Sequence, residues 1–455
     1  MGSNQSCQNL IPGPNYICNI SQCTKKVVGI ESTSASPSDI WILTLESGTK
    51  YGNMEITGDI VMKLFLSLTN TPMTMTPYYS LKGAQELTYE SNVYEYLVDK
   101  ILQNNMNPFF VQYYGRSLHC SFDNIKDILV GSAELEGYNK NMDDSEATLY
   151  LSRNTSYIGE QKEGRPSINN PDLDSYSRGQ LNEFMNVIPN SGIKYGMILT
   201  KKSSGVVAYK WFNDHITKSG YYDRDAMLVI IQIISALVTL SKFEAMHNDL
   251  HLGNIFIENL PRPSTNLYTF EFQGNKYMYM MSNIYISRIY DWDKAYMKIL
   301  GPNPLVVSLS EDFCIYNRYI PQMDIAKIII GLMYPYKKKI SREQRTQLLN
   351  MLYDDSKIQY RQYFDTNVLL DNDDRYFFKD KQTGKCISDE YFQNMVPIEE
   401  CLYRYIQYVH SQNNNITDVF YPNTEWLNYA EQNSITIYNF SSVPKTFKTK
   451  TMQEL

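Results

Sequence analysis

His247-Asn248-Asp249-Leu250-His251-Leu252-Gly253-Asn254 is the stretch on which the reading of this chain turns. It follows an apolar helix predicted over about 223–245, where Asp223 or Asp225 can cap the first turn. It runs into the apolar strand Ile255-Phe256-Ile257. Downstream, Tyr285-Ile286-Ser287-Arg288-Ile289-Tyr290 reads as another strand and ends on Asp291-Trp292-Asp293. Aspartate and asparagine at turns are most often simple caps, but Asp249, Asn254 and Asp291 all stand beside strand ends, at one predicted edge. His247 and His251 are four apart, the spacing of a helical zinc site. Asn248 stands where such a site has its glutamate base, however, and Gly253 leads into a strand, which disfavours a metallohydrolase.

Working outward, Lys26–Ile30 and Ile40–Leu45 are β-rich runs around the small polar segment 32–38, and predict a hairpin with a longer loop. A third strand, Ile60–Leu66, carries Lys63 in its interior, an unusual place because lysine is seldom buried without a partner. Leu87, Val93, Tyr94, Leu97, Ile101 and Leu102 recur at helical steps, predicting an amphipathic helix over about 84–102. Phe109–Tyr114 reads as strand, 136–190 as a polar, loop-rich insertion, and Tyr195–Leu199 as a short strand.

The composition sets outer bounds. With 455 residues, 43% hydrophobic and 20% charged, the chain can bury a sizeable core, which excludes a wholly disordered protein or a coiled-coil rod. A net charge of −7 is the wrong sign for a general nucleic-acid binder, so no nucleic-acid partner is expected and an anionic ligand needs a local site. The seven cysteines form no CxxC pair, and predict neither a disulfide framework nor a structural zinc, in an intracellular, cytoplasmic protein. The apolar run Ala226–Leu240 falls short of the ~20 residues of a membrane span and predicts a core helix. Residues 1–24 read as a flexible tail. Its Met1-Gly2-Ser3-Asn4-Gln5-Ser6 start, with Cys7 adjacent, fits the N-myristoylation pattern, and one such chain would give reversible membrane contact.

The segment 247–254 matches the H-x-D-L-x-x-x-N catalytic loop of protein kinases, and Asp291 stands where their D-F-G does. On these residues the chain, over roughly 25–335, resembles the eukaryotic-type protein kinase superfamily. Within it the chain is most similar to serine/threonine kinases of large cytoplasmic DNA viruses, which share the His-Asn-Asp-Leu-His style loop and a hairpin, here Tyr268 to Tyr279, before the metal aspartate. The resemblance implies an α+β, bilobal protein-kinase-like fold: a β-rich N-lobe over 25–200 with a polar insertion about 117–190, and a mainly helical C-lobe over 201–455 with a C-terminal extension. It implies a serine/threonine protein kinase that uses ATP and Mg²⁺ on a protein substrate. Asp249 would accept the substrate proton, and Asn254 and Asp291 would hold Mg²⁺. Lys63 would bind the α- and β-phosphates with Glu90 as its helix partner, Glu86 and Glu95 being competitors. Ser32, Ser34 and Ser36 would line the phosphate loop, Leu199, Thr200 and Lys201 the adenine hinge. Asp324 would brace the catalytic loop or cap its own helix.

Four departures qualify that picture. The glycine-rich loop is reduced to Gly29, and the arginine before the catalytic aspartate is Asn248, which predicts activity independent of activation-loop phosphorylation. His251 stands where protein kinases have lysine, and aminoglycoside-type small-molecule kinases carry histidine there. No A-P-E lies between Asp291 and Asp324. A small-molecule phosphotransferase and a pseudokinase scaffold are therefore the alternatives.

Overall fold

The computed structural model describes residues 27–32, 39–45, 50–51, 54–55, 59–67, 87–121, 194–306, 314–366, 368–369, 379–380, 382–412 and 424–441. The tail with Gly2, Ser34, Ser36, Glu86 and residues 122–193 of the expected insertion lie outside them. The chain divides into two compact units, one of Met1–Ser91 with Gln112–Lys202, the other of Asn92–Val111 with Ser203–Leu455.

The first unit is built on a five-stranded antiparallel sheet. Its strands are β1 (Val27–Ser32), β2 (Asp39–Leu45), β5 (Ile60–Ser67), β6 (Tyr113–Ser121) and β7 (Lys194–Lys201), in the order β1-β2-β5-β7-β6. A small pair, β3 (Lys50–Tyr51) with β4 (Met54–Glu55), lies between β2 and β5 in sequence. β5 is central, so Lys63 faces Ile40 on one neighbour and Ile198 on the other. The strand predicted over 109–114 begins instead at Tyr113 and continues through residues expected to open the insertion. Pairing with β7, with register shifts around Gly115 and after Ser117, overrides the polar composition there.

Helix α1 runs over 87–103 and includes a π-turn at Tyr94–Val98. Its first turn belongs to the sheet unit and its remainder to the second unit.

The second unit is mainly helical. After β8 (Val206–Val207) and α2 (Ala208–Asp214) comes α3 (Arg224–Lys242), whose N-terminus is capped by Asp223 Oδ1 accepting from Ala226 N at 2.9 Å. Ala226 to Leu240 are buried all round, as a central core helix requires. The three polar residues that interrupt this run are pins. Gln232 donates to Tyr285 O at 2.9 Å and accepts from Ser287 N at 2.7 Å, Ser235 meets Tyr279 Oη at 2.8 Å, and Thr239 accepts from Asn107 Nδ2 at 3.0 Å. Each buried polar group thus has a partner, and each fixes a neighbour to the helix.

β9 (Ala245–Met246) leads into the stretch 247–254, followed by the long hairpin of β10 (Ile255–Phe272) and β11 (Asn275–Ile289). Gln273 (φ 50°) and Gly274 (φ 74°) form the turn, the left-handed pair that a tight hairpin demands. The register breaks between Asn259 and Ser264, where Pro261 and Pro263 have no N–H to donate. β12 (Tyr296–Met297) pairs with β9. Then follow α4 (Gln322–Met333), α5 (Arg342–Asn350), α6 (Ile358–Thr366), the pair β13 (Val368–Leu369) and β14 (Lys379–Asp380), α7 (Asp389–Gln393) and α8 (Ile398–Ser411). α9 (Thr424–Gln432) and β15 (Ile437–Asn439) close the chain against the hairpin. β15 runs parallel to β10, while Trp426 and Leu427 pack with Leu267 and Met278. One expectation is overturned here: Cys314 and Cys386, 72 residues apart, form a disulfide, with Cα atoms 5.3 Å apart. Scattered spacing gave no sign of it, because the chain itself folds the two residues together.

Candidate active site

In the sheet unit, Lys63 Nζ donates to Glu90 Oε1 at 3.1 Å and Oε2 at 2.8 Å. Lys63 is 8% exposed and Glu90 1%, so the pair is desolvated and each charge demands the other. Glu95 sits instead in the π-turn, in the other unit. At the end of β7, Leu199 and Thr200 are buried, and the Lys201 N–H is taken by Gln112 O at 2.8 Å. Ser32 closes β1, its backbone opposite Trp41.

In the helical unit, the stretch 247–254 is fixed from beneath by Asp324. This buried carboxylate accepts from His247 N at 2.6 Å and Asn248 N at 2.9 Å. Asp324 is in the first turn of α4 but does not cap it, since Pro321 is the cap residue. The Asn248 backbone is left-handed (φ 68°), which asparagine tolerates better than most residues. Its amide ties three segments together: Nδ2 donates to Lys294 O at 3.0 Å and Tyr316 O at 2.9 Å, and Oδ1 accepts from Tyr316 N at 3.0 Å. His247 Nε2 lies 2.8 Å from Tyr290 O, and its ring packs on Trp292 at 4.8 Å. Trp292 is fully buried between that imidazole, Phe110 and Tyr94. The two histidines are thus separately engaged, and among the described residues no cluster of three His, Cys, Asp or Glu could hold a metal.

Asp249 is flanked by cations. Lys294 Nζ is 2.5 Å from Oδ2 and Lys327 Nζ is 3.8 Å from Oδ1. Burial alone would raise this carboxyl, but the two lysines prevail and hold it well below the usual carboxylate range. The same carboxylates, Asp293 and Asp249 first, push the Lys294 ammonium up against the opposing effect of burial. Burial lowers His251 to about 4, more than Asp249 raises it. Its Nδ1 accepts from Gly253 N at 3.0 Å, so the ring is neutral with its proton on Nε2.

Asn254 folds back on the loop, Nδ2 donating to Asp249 O at 3.0 Å, and its O accepts from Tyr290 N at 3.2 Å. That backbone bond sets Asp291, itself left-handed (φ 68°), next along the chain from a residue docked on Asn254. Tyr290 Oη adds a bond to Gly253 O at 2.7 Å. With Nδ2 committed, Asn254 Oδ1 is left as an acceptor. An amide oxygen and a carboxylate fit Mg²⁺, a hard cation that binds few carboxylates and completes its shell with phosphate and water. The site residues read from the sequence therefore gather in two sets: Lys63 with Glu90, and Asp249 with Asn254 and Asp291. Lys294 and Lys327 escape a reading by motif. Their one local signal is position, directly after Asp291-Trp292-Asp293 and one turn after Asp324.

A unit built on an antiparallel sheet and a mainly helical unit make an α+β fold, as expected from the sequence. No family model and no curated protein matches the chain. Among solved structures it is similar to a Plasmodium kinase domain, at 11% identity and a TM-score of 0.32, over 84% of this chain and 85% of that one. It is also similar to the Rad53 kinase domain with SCD2, at 8% identity and a TM-score of 0.27, over 83% and 97% respectively.

Proposed function

We propose that the chain is an ATP- and Mg²⁺-dependent protein kinase that phosphorylates Ser/Thr hydroxyls. The observation that carries this reading is the braced loop: Asp324 fixes its backbone, and Asp249 stands ionised between two lysines beside Asn254 and the turn of Asp291. Asp249 orients the acceptor hydroxyl and takes its proton. The oxygen forms its bond to the γ-phosphorus as the bond to the β,γ-bridging oxygen breaks, and ADP leaves with that electron pair. Asn254 and Asp291 would hold Mg²⁺, which would supply charge neutralisation for the phosphates. Lys63, kept straight by Glu90, serves the α- and β-phosphates. In such chemistry the protein supplies position and charge compensation.

Transfer of label from γ-labelled ATP with Mg²⁺, to the chain itself and to generic proteins, tests the proposal. Label on protein that falls at least about 1000-fold in Asp249→Asn, to a residual rate, supports it. ATP binding with no labelled protein turns the reading toward a small-molecule acceptor, which the neutral His251 favours, or toward a scaffold if ATP is not turned over at all. A myristoyl group on Gly2, with reversible membrane contact in the host cytoplasm of a virus, belongs to the same proposal and is read by intact mass.

A further inference from the structure

Three cationic or potentially cationic side chains surround the Asp249 carboxylate, and they are not equivalent. His251 is neutral, because its Nδ1 is the acceptor for Gly253 N–H. Lys327, 2% exposed at its side chain, donates to Asn248 O at 2.6 Å and stands off Asp249 Oδ1 at 3.8 Å, beyond a hydrogen bond. Lys294 is different in both respects. It is 19% exposed at its side chain and holds Asp249 Oδ2 at 2.5 Å, with Asp293 Oδ1 at 3.9 Å. Its backbone is also fixed on every side. Asn248 Nδ2 donates to Lys294 O, and Asn303 Nδ2 donates to Asp293 O at 2.9 Å and Ala295 O at 2.8 Å. Ala295 N in turn bonds Trp292 O at 3.1 Å. An ammonium on so rigid a support is preorganised rather than incidental.

We propose that Lys294 is the positioning residue of phosphoryl transfer: it clamps Asp249 Oδ2 and so leaves Oδ1 to meet the acceptor hydroxyl. This rests on the phosphotransferase reading above. The role falls to a residue 45 positions beyond Asp249 because the one two positions beyond it, His251, brings no charge. A neutralised Asp249 also spares the incoming phosphoryl oxygens a bare carboxylate at close range.

The test uses the full chain with Mg²⁺ and γ-labelled ATP, comparing wild type, Lys294→Met, Lys294→Arg, Lys294→Gln, Asp249→Asn and the double variant Asp249→Asn/Lys294→Met. Lys294→Met should lower kcat about 100-fold, the scale of a lost proton-transfer partner, with KM for ATP within about threefold. Lys294→Arg should recover a large part of the loss, and Lys294→Gln, which keeps a donor without charge, should recover little. In the Asp249→Asn background Lys294→Met should cost nothing more, because the two act as one unit. Turnover of Lys294→Met within about threefold of wild type, or losses that simply multiply in the double variant, would overturn the role of Lys294 alone. A wild type that labels no acceptor overturns both the role and the reading beneath it.

Discussion

Asp324 concentrates two backbone N–H groups on one carboxylate, and the loop 247–254 hangs from that pair of bonds. An amide in its place keeps one acceptor oxygen and turns an N–H₂ toward a backbone donor. Asp324→Asn should therefore cost about 2 kcal/mol, the range for hydrogen bonds to a charged group, and urea unfolding of the two proteins reads it. His251 offers a pH test. Its imidazole takes a proton near 6.5 when unfolded but only near about 4 when folded, because burial opposes the charge. The unfolded chain thus binds more protons between those values, and stability falls as pH drops from about 6.5 toward about 4, by on the order of 3 kcal/mol. His251→Gln should flatten that part of the stability curve; unfolding midpoints that fall in parallel for both proteins would contradict the assignment. At this scale the sequence was legible where a residue belongs to a spaced motif. Asp249 and Asn254 stand out through the spacing of one motif, Asp291, Lys63 and Glu90 through the resemblance, and Lys63 does pair with Glu90. Lys294 and Lys327 do not stand out, because a lone lysine is more often a surface residue whose charge stays in water. Only the fold brings them to one carboxylate.

Between residues and the molecule stand the elements that hold the loop in register. The Asn248 amide joins the loop to Lys294 and to Tyr316 by three hydrogen bonds, where the motif's usual arginine would wait for a phosphate. A neutral, built-in clamp predicts that phosphatase treatment leaves turnover of the purified protein within about twofold. Asn248→Ala, by contrast, should cut turnover at least about tenfold and not regain it on phosphorylation. A wild-type activity that phosphatase abolishes would show that the clamp is insufficient. Trp292 serves the next element along, seated between His247, Phe110 and Tyr94 with no exposed surface. Trp292→Ala should lower stability by about 3–5 kcal/mol, the range for a large aromatic lost from a core, as read in denaturant. Elements were the most legible level of this chain. Helix α3 follows from its apolar run, and its three polar interruptions prove to be pins rather than breaks. The start of β6 was misread because Phe109–Gln112 has strand composition, yet Val111 N and Phe109 O bond Ile289 as a connecting segment.

For the molecule as a whole, the Cys314–Cys386 disulfide asks the largest question, because composition alone argued for free thiols in a reducing cytoplasm. It links the segment that carries Tyr316, and hence the Asn248 clamp, to the stretch before α7. Two further ties run the same way: Tyr316 Oη donates to Ile387 O at 2.9 Å, and Arg318 pairs with Asp389. A covalent bond closing a loop of this length restricts the unfolded chain and is worth about 2–4 kcal/mol. Reduction of the purified protein should therefore lower its unfolding free energy by that amount, and the Cys314→Ser/Cys386→Ser variant should match the reduced protein and ignore reductant. The hydrogen bonds remain when the disulfide opens, so the clamp at Asn248 should survive and turnover should change less than stability. Alkylation of protein trapped directly from cells separates two outcomes. If both cysteines are blocked only after reduction, the link exists where the protein works, and a permanently reducing surrounding is excluded. If both react at once, the thiols stand adjacent but unjoined in the cell, and the stability difference belongs to the purified, oxidised form alone.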